Sequence, residues 1–306
     1  MGEERENAGV LICGKRVRYI DPMTDWGFKK LFGSDENREI LLGFLQDLFP
    51  EQEIADIRYV NPERLGLTED DRKSVFDVVC ESIGGERFII EMQKRDQMNI
   101  RKRGLYYSSY LIQEQGRRGD WDYSLEKVYM VGILDFAMKH NYSDEELEKY
   151  ADKRIHWYEL QDLQTGEPMT DCLAYVFLEA GAFTKKVDEL KTEMDEWMYV
   201  LKNLPKLDGR PEVLGRAVFR KLFTAAEIAA LGHEERKQYE RDMMTENDYR
   251  NTIEYARYEG MQAGLEQGEQ SGLAKAATEM KRMGLGTDII RKATGMSEAE
   301  IAALEV

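Results

Sequence analysis

The sequence predicts an α/β sandwich, and three observations carry that expectation. Short apolar runs alternate with helix-period segments between residues 36 and 135. Two of those runs are joined by a Gly84-Gly85 turn. From about residue 185 the pattern becomes wholly helical and highly charged. A helix–strand–hairpin–helix–strand unit with extra strands buries a sheet against helices. A chain of 306 residues has room for one such domain plus helical extensions.

Taken in order, residues 1–18 read as a flexible leader. Thr24 and Asp25 open a short helix through Phe28, Leu31 and Phe32 that ends at Gly33, with Asp25 as its N-cap. A second helix over residues 36–49 places Ile40, Leu41, Phe44, Leu45 and Leu48 on one stripe and stops at Pro50. Residues 54–60 read as a strand, and residues 61–73 as a polar loop near the mouth of a site.

Next come Ser74-Val-Phe-Asp-Val-Val-Cys80 and Phe88-Ile-Ile-Glu-Met-Gln93, two strands around the glycine turn. A three-residue loop of Ile83, Gly84 and Gly85 places Ser82 opposite Glu86 and Asp77 opposite Glu91, with Gln93 across from Val75. Phe76, Val78 and Cys80 then meet Met92, Ile90 and Phe88 on a core face. A two-residue loop would send Asp77 and Glu91 to opposite faces.

Acids inside apolar strands are costly, since an unpaired buried carboxylate forfeits several kcal/mol of hydration. Two facing carboxylates about 5 Å apart at Cβ can share one hard cation. Mg²⁺ suits such a pair, with Mn²⁺ or Ca²⁺ as substitutes. Gln93 is neutral; it can orient water or donate to a phosphate oxygen but cannot act as a general base. The spacing alone favours a structural hairpin whose acids face solvent at a sheet edge.

The segment from Lys94 to Arg103 holds five basic residues and one acid. It leads into an aromatic helix over residues 105–112, where Tyr106 and Tyr110 share a face. Lys29, Arg95, Arg101, Arg103 and Tyr106 are candidates to contact a nucleic-acid backbone; a solvated basic face with packed tyrosines is the other reading. A strand over 128–135 and a hairpin of 152–164 with 171–179 complete the sheet.

Beyond residue 185, helices are expected over 187–204, 211–222 and 225–244. Gly260, Gly264, Gly268 and Gly272 then recur on one predicted helix, at about 1 kcal/mol each relative to alanine. Such a stripe fits self-association through close backbone approach, or a weak linker in a monomer. At the end, Thr287 is expected to cap one short helix that Gly295 ends, and Ser297 with Glu300 forms a capping box for the next. The expected divisions are residues 1–18, 19–184, 185–245 and 246–306.

Composition sets the remaining bounds. Lys and Arg number 43 against 59 Asp and Glu, a net charge of −16, which argues against tight, indiscriminate DNA binding without forbidding a local basic groove. No apolar run is long enough to span a bilayer, and the charged N-terminus lacks a signal peptide's apolar region. The three cysteines show no paired spacing, so a reducing cytoplasm is expected. His140, His156 and His233 are scattered along the chain, which argues against a histidine metal site.

The stretch Tyr19-Ile-Asp-Pro-Met-Thr-Asp-Trp-Gly-Phe-Lys-Lys-Leu-Phe-Gly33 resembles the opening motif of the PD-(D/E)XK nuclease family transposases. The Asp77 and Glu91-Met92-Gln93 hairpin resembles that family's paired active-site strands, and Tyr123 to Leu134 continues the likeness. The resemblance implies a restriction-endonuclease-like PD-(D/E)XK core, a mixed sheet flanked by helices, with an α-helical C-terminal extension. It implies a metal-dependent DNA endonuclease associated with mobile elements and DNA recombination. Asp77, Glu91 and the Met92 carbonyl would hold Mg²⁺, Asp25 would lie near it, and Gln93 would stand where the superfamily usually has lysine. That glutamine, together with the acidic total, keeps a second reading: a noncatalytic recombination or assembly accessory with the same fold.

Overall fold

Val128–Leu134 is buried at every position because it lies at the centre of a sheet covered on both faces. The computed structural model describes residues 9–12, 14–60, 63–64, 74–95, 99–117 and 119–305. Its main sheet has six strands. They are β1 (Ile57–Tyr59), β2 (Val78–Ser82), β3 (Arg87–Gln93), β4 (Val128–Leu134), β5 (Ile155–Glu159) and β6 (Leu173–Glu179). In space the order is β1-β2-β3-β4-β6-β5, with β3, β4 and β6 parallel and the remaining pairings antiparallel.

Helices α1 (Asp25–Phe32), α2 (Arg38–Leu48), α3 (Ile100–Gln113), α4 (Asp144–Lys149), α5 (Glu193–Asn203) and α6 (Ala217–Ala225) belong to the same unit, Met1–Met243. Period-two alternation divides the sheet's side chains between two cores. Val78, Cys80, Phe88, Ile90 and Val131 join residues of α1, α2, α5 and α6 on one face. Val79, Ile89, Met130, Leu134 and Phe177 join Ile100 and Leu111 of α3 on the other. The helices of the 185–245 segment therefore share the sheet's core: Trp197 of α5 is fully buried and stacks edge-on against Phe44 of α2.

The hairpin register is the one the three-residue loop predicts. Val78 pairs with Ile90 and Glu81 with Arg87, the Ser82 N–H donates to the Glu86 carbonyl, and Gly85 takes the left-handed conformation at φ 102°. Two details differ. Phe76 packs on the α3 face against Tyr107, not with Val78 and Cys80, because the ladder stops at Val78 and the backbone turns there. Because that ladder ends at Val78, Val75, which pairs with Glu63, is not Gln93's ladder partner. Apart from Glu63–Arg64, the expected loop over 61–73 lies outside the described residues.

Local capping explains most other differences. Thr24, not Asp25, caps α1, its hydroxyl accepting the Gly27 N–H at 3.1 Å. Asp25 is the first helical residue and pairs with Lys29 one turn on. A capping box of Thr192 and Asp195 starts α5 at Glu193, leaving Val187–Glu189 as a 3₁₀ turn. The expected leader contains an antiparallel ribbon, Val10–Ile12 with Lys15–Val17, whose Ile12 is buried.

The helix expected over 225–244 starts instead at His233, where the Glu235 carboxylate accepts the Gly232 N–H. This helix, α7 (His233–Arg282), continues for 50 residues and enters the second unit, Met244–Val306. There α8 (Thr287–Thr294) and α9 (Glu298–Ala303) gather around Ala277, Ile290 and Ile301. Gly286 rather than Thr287 occupies the N-cap of α8, while Gly295 and the Ser297–Glu300 box act as expected. At Gly260, Gly264, Gly268 and Gly272 an added Cβ would meet nothing within 4 Å among the described residues. No described helix is long and apolar enough to cross a membrane.

Candidate active site

Asp77 and Glu91 are tied crosswise through each other's strand. The Asp77 N–H donates to Glu91 Oε1 at 3.1 Å, and the Met92 N–H donates to Asp77 Oδ2 at 2.8 Å. The arrangement arises where the β2/β3 ladder ends at Val78: beyond it, side-chain carboxylates take backbone donors that the ladder does not pair. Glu91 is only 2% exposed. Burial, reinforced by the charge of Asp77, pushes its carboxyl up to about 8 against the opposing Asp77 N–H, Arg103 and Lys29. Burial also raises Asp77, against the Met92 N–H and Lys29.

Arg103 of α3 reaches into this pair. Its guanidinium donates to Gln93 Oε1 at 3.2 Å, faces Glu91 Oε2 at 3.4 Å and donates to the Tyr107 hydroxyl at 3.0 Å. One arginine therefore fixes Gln93, Glu91 and its own helix face together. Lys29 approaches from α1. Burial works against its ammonium, but Asp25, with the charges of Asp77 and Glu91, outweighs burial and raises its pKa. Asp25 is thus within electrostatic reach of the pair while bound to Lys29 at 2.7 Å.

The other basic candidates are not gathered here. Arg101 turns toward the Lys139 carbonyl and lies over the Tyr158 ring, 5.6 Å from its centroid. Tyr106 is exposed with its hydroxyl against that of Tyr110. Arg95 is half-buried, and the residues that follow it, 96–98, lie outside the described set. Lys94, the lysine nearest Gln93 in sequence, is engaged with Asp21 at 2.9 Å.

Sequence spacing missed a second cluster. His140 and His156, read as scattered, lie with their rings 4.4 Å apart, and both Nε2 atoms face Glu179 Oε1, at 3.2 and 3.5 Å. His140 follows β4, His156 lies in β5 and Glu179 ends β6, so only strand order brings them together. The sheet register links this cluster to the hairpin. Glu91, Gly132, Phe177 and His156 form one cross-strand row, and Gln93, Leu134 and Glu179 form the next. Residues in a row share a face, so both clusters lie on the α3 side, three strand spacings or roughly 14 Å apart.

The molecule is thus of the α/β class, a mixed sheet between two helical layers with an acidic pair at the end of its β2/β3 hairpin. The family model for PD-(D/E)XK nuclease family transposases matches residues 22–256, and the chain belongs to that family. No curated protein and no solved structure gives a match.

Proposed function

We propose that the protein is a Mg²⁺-dependent DNA endonuclease whose centre is Asp77, Glu91 and the Met92 carbonyl. The observation that carries this reading is the cross-tied carboxylate pair, Glu91 buried and Asp77 half-buried, with both pKa values raised. Arg103 and Lys29 do not offset burial and mutual repulsion in this pair, and a hard divalent cation is the partner whose preferred ligands these are. Met92 turns its N–H toward Asp77. Its carbonyl leaves the strand on the same edge, as both groups of one strand residue do.

A cation held there would supply Lewis-acid polarisation of a phosphodiester and a more acidic bound water. The chain's own residues do the rest. Gln93, steadied by Arg103, orients water or a phosphate oxygen through its amide. Arg103 keeps Glu91 aimed at the centre and limits repulsion from Asp77. Lys29, carried on a capped helix, presents positive charge to a phosphate on the side nearest Asp25. Mn²⁺ and Ca²⁺ share the preference for oxygen ligands and would bind the same centre. DNA is the substrate, in keeping with the family's place among transposases.

The test is a plasmid-nicking assay with Mg²⁺, Mn²⁺, Ca²⁺ and EDTA, run beside Asp77→Ala and Glu91→Ala. Metal-dependent cleavage is expected, falling in both variants by on the order of 10³-fold, the equivalent of several kcal/mol of metal-centred stabilisation. Folded wild-type protein inactive with every metal would favour the noncatalytic accessory reading. Activity that survives both substitutions would place the centre elsewhere.

A further inference from the structure

We propose that His140, His156 and Glu179 form a Zn²⁺ site, separate from the carboxylate hairpin, that braces the β5/β6 edge of the sheet. The acceptor arithmetic at Glu179 motivates it. Its Oε1 accepts the Met138 N–H at 2.8 Å and faces His140 Nε2 at 3.2 Å, which together occupy both of its lone pairs. His156 Nε2 faces the same oxygen at 3.5 Å, yet it is buried without a hydrogen-bond partner among the described residues. The residue is 3% exposed. A buried nitrogen held only by so long a contact forfeits much of a hydrogen bond, a cost native folds seldom bear without a purpose.

A cation among the three atoms removes that cost. The ligand atoms of this group lie within 4.8 Å of one another. Zinc binds imidazole nitrogen and carboxylate oxygen at about 2.0–2.2 Å, so two ligands of a tetrahedral site stand about 3.3–3.5 Å apart. The two nitrogen–oxygen separations, 3.2 and 3.5 Å, bracket that edge. Two imidazoles with one carboxylate select zinc over Mg²⁺, which prefers oxygen. The support is in place as well. The Met138 N–H holds the carboxylate, and Tyr142 stacks on His140 with ring centroids 4.7 Å apart. The fourth position would be left to water. The three residues join the segment after β4 to strands β5 and β6, so zinc would lock the sheet's edge hairpin to its centre.

The inference stands apart from the nuclease reading: a chain that never cut DNA would still bind zinc here. Full-length protein is stripped with EDTA, exposed to Zn²⁺, gel-filtered and assayed for metal by atomic emission. Wild type, His140→Gln, His156→Gln and the Asp77→Ala/Glu91→Ala double variant are run together. One retained zinc per chain is expected in wild type and in the double variant, with affinity at least about 100-fold weaker in either histidine variant. Zinc should also raise the melting temperature of wild type but not of His140→Gln. His140 is the less buried histidine, so that variant preserves the test if His156→Gln fails to fold. Zinc retained equally by folded His140→Gln would overturn the proposal. So would loss of zinc in the double variant alone, or a wild type that neither retains zinc nor gains stability from it, the signature of a metal-free His–Glu cluster.

Discussion

The carboxylate hairpin and the histidine cluster occupy one face of one sheet, yet they are built in opposite ways. Asp77 and Glu91 are joined by a single tight turn, so local register alone brings them together. His140 and Glu179 are 39 residues apart in sequence and meet only because β6 inserts between β4 and β5. The charge balance is opposite as well. The hairpin gathers two acids with raised pKa values. At Glu179, burial raises the carboxyl, but His156, the Met138 N–H and His140 outweigh it and hold it below its usual range. The first arrangement calls for a hard cation that oxygen ligands favour, and the second for one that accepts nitrogen.

The difference can be broken experimentally. The largest effect is expected from Glu91→Gln, which keeps the shape but removes one charge of the pair. Cleavage should fall by on the order of 10³-fold, while zinc retention at the histidines stays at the wild-type level in the same preparation. Loss of both would mean the two clusters are one site.

Arg103→Ala comes next. It strips Glu91 and Gln93 of their shared donor, and outer-shell losses of this kind reduce metal affinity or activity by about 10–100-fold. Wild-type Mg²⁺ titration curves in the variant would remove Arg103 from the account.

Gly132 lies in the row between the clusters, and its missing side chain makes room for Phe177. An added Cβ would stand 2.6 Å from one carbon of that rigid ring and 2.9 Å from another. Gly132→Ala should therefore cost about 1–3 kcal/mol through overpacking, read as a lower denaturation midpoint. An unchanged midpoint would show that Phe177 yields freely.

The smallest effect is a pH slope. A carboxyl whose folded pKa stands above its unfolded value binds more protons in the native state. Its contribution is full below the ordinary carboxylate range and declines as pH rises toward about 8 for Glu91. Metal-free protein should therefore lose melting temperature across that window, at about 2–4 °C per kcal/mol. Glu91→Gln should flatten the decline, and Mg²⁺ should oppose it by holding the ionised pair. A slope that persists unchanged in Glu91→Gln would assign it to other groups.

What could be read from sequence was what neighbouring residues decide. The Gly84-Gly85 turn set the pairing of Val78 with Ile90, and the apolar stripe of α2 announced its buried face. Sequence was less informative where side chains compete for one cap. Thr24 and Asp25 are both good caps, and only the Gly27 N–H shows which was used. Phe76 was misplaced because alternation holds only while the ladder does. Arg103's hold on Gln93 and the convergence of His140, His156 and Glu179 depend on helix placement and strand order, which no local pattern encodes.

The most direct measurement is anomalous diffraction from crystals grown with Mn²⁺ after removal of other metals. Mn²⁺ should give a peak between the carboxylates of Asp77 and Glu91, within bonding distance of both and of the Met92 carbonyl, and Glu91→Gln should abolish it. A fully ordered hairpin with no peak there, while Mn²⁺ occupies other sites, would contradict the assignment of this pair as the catalytic metal centre.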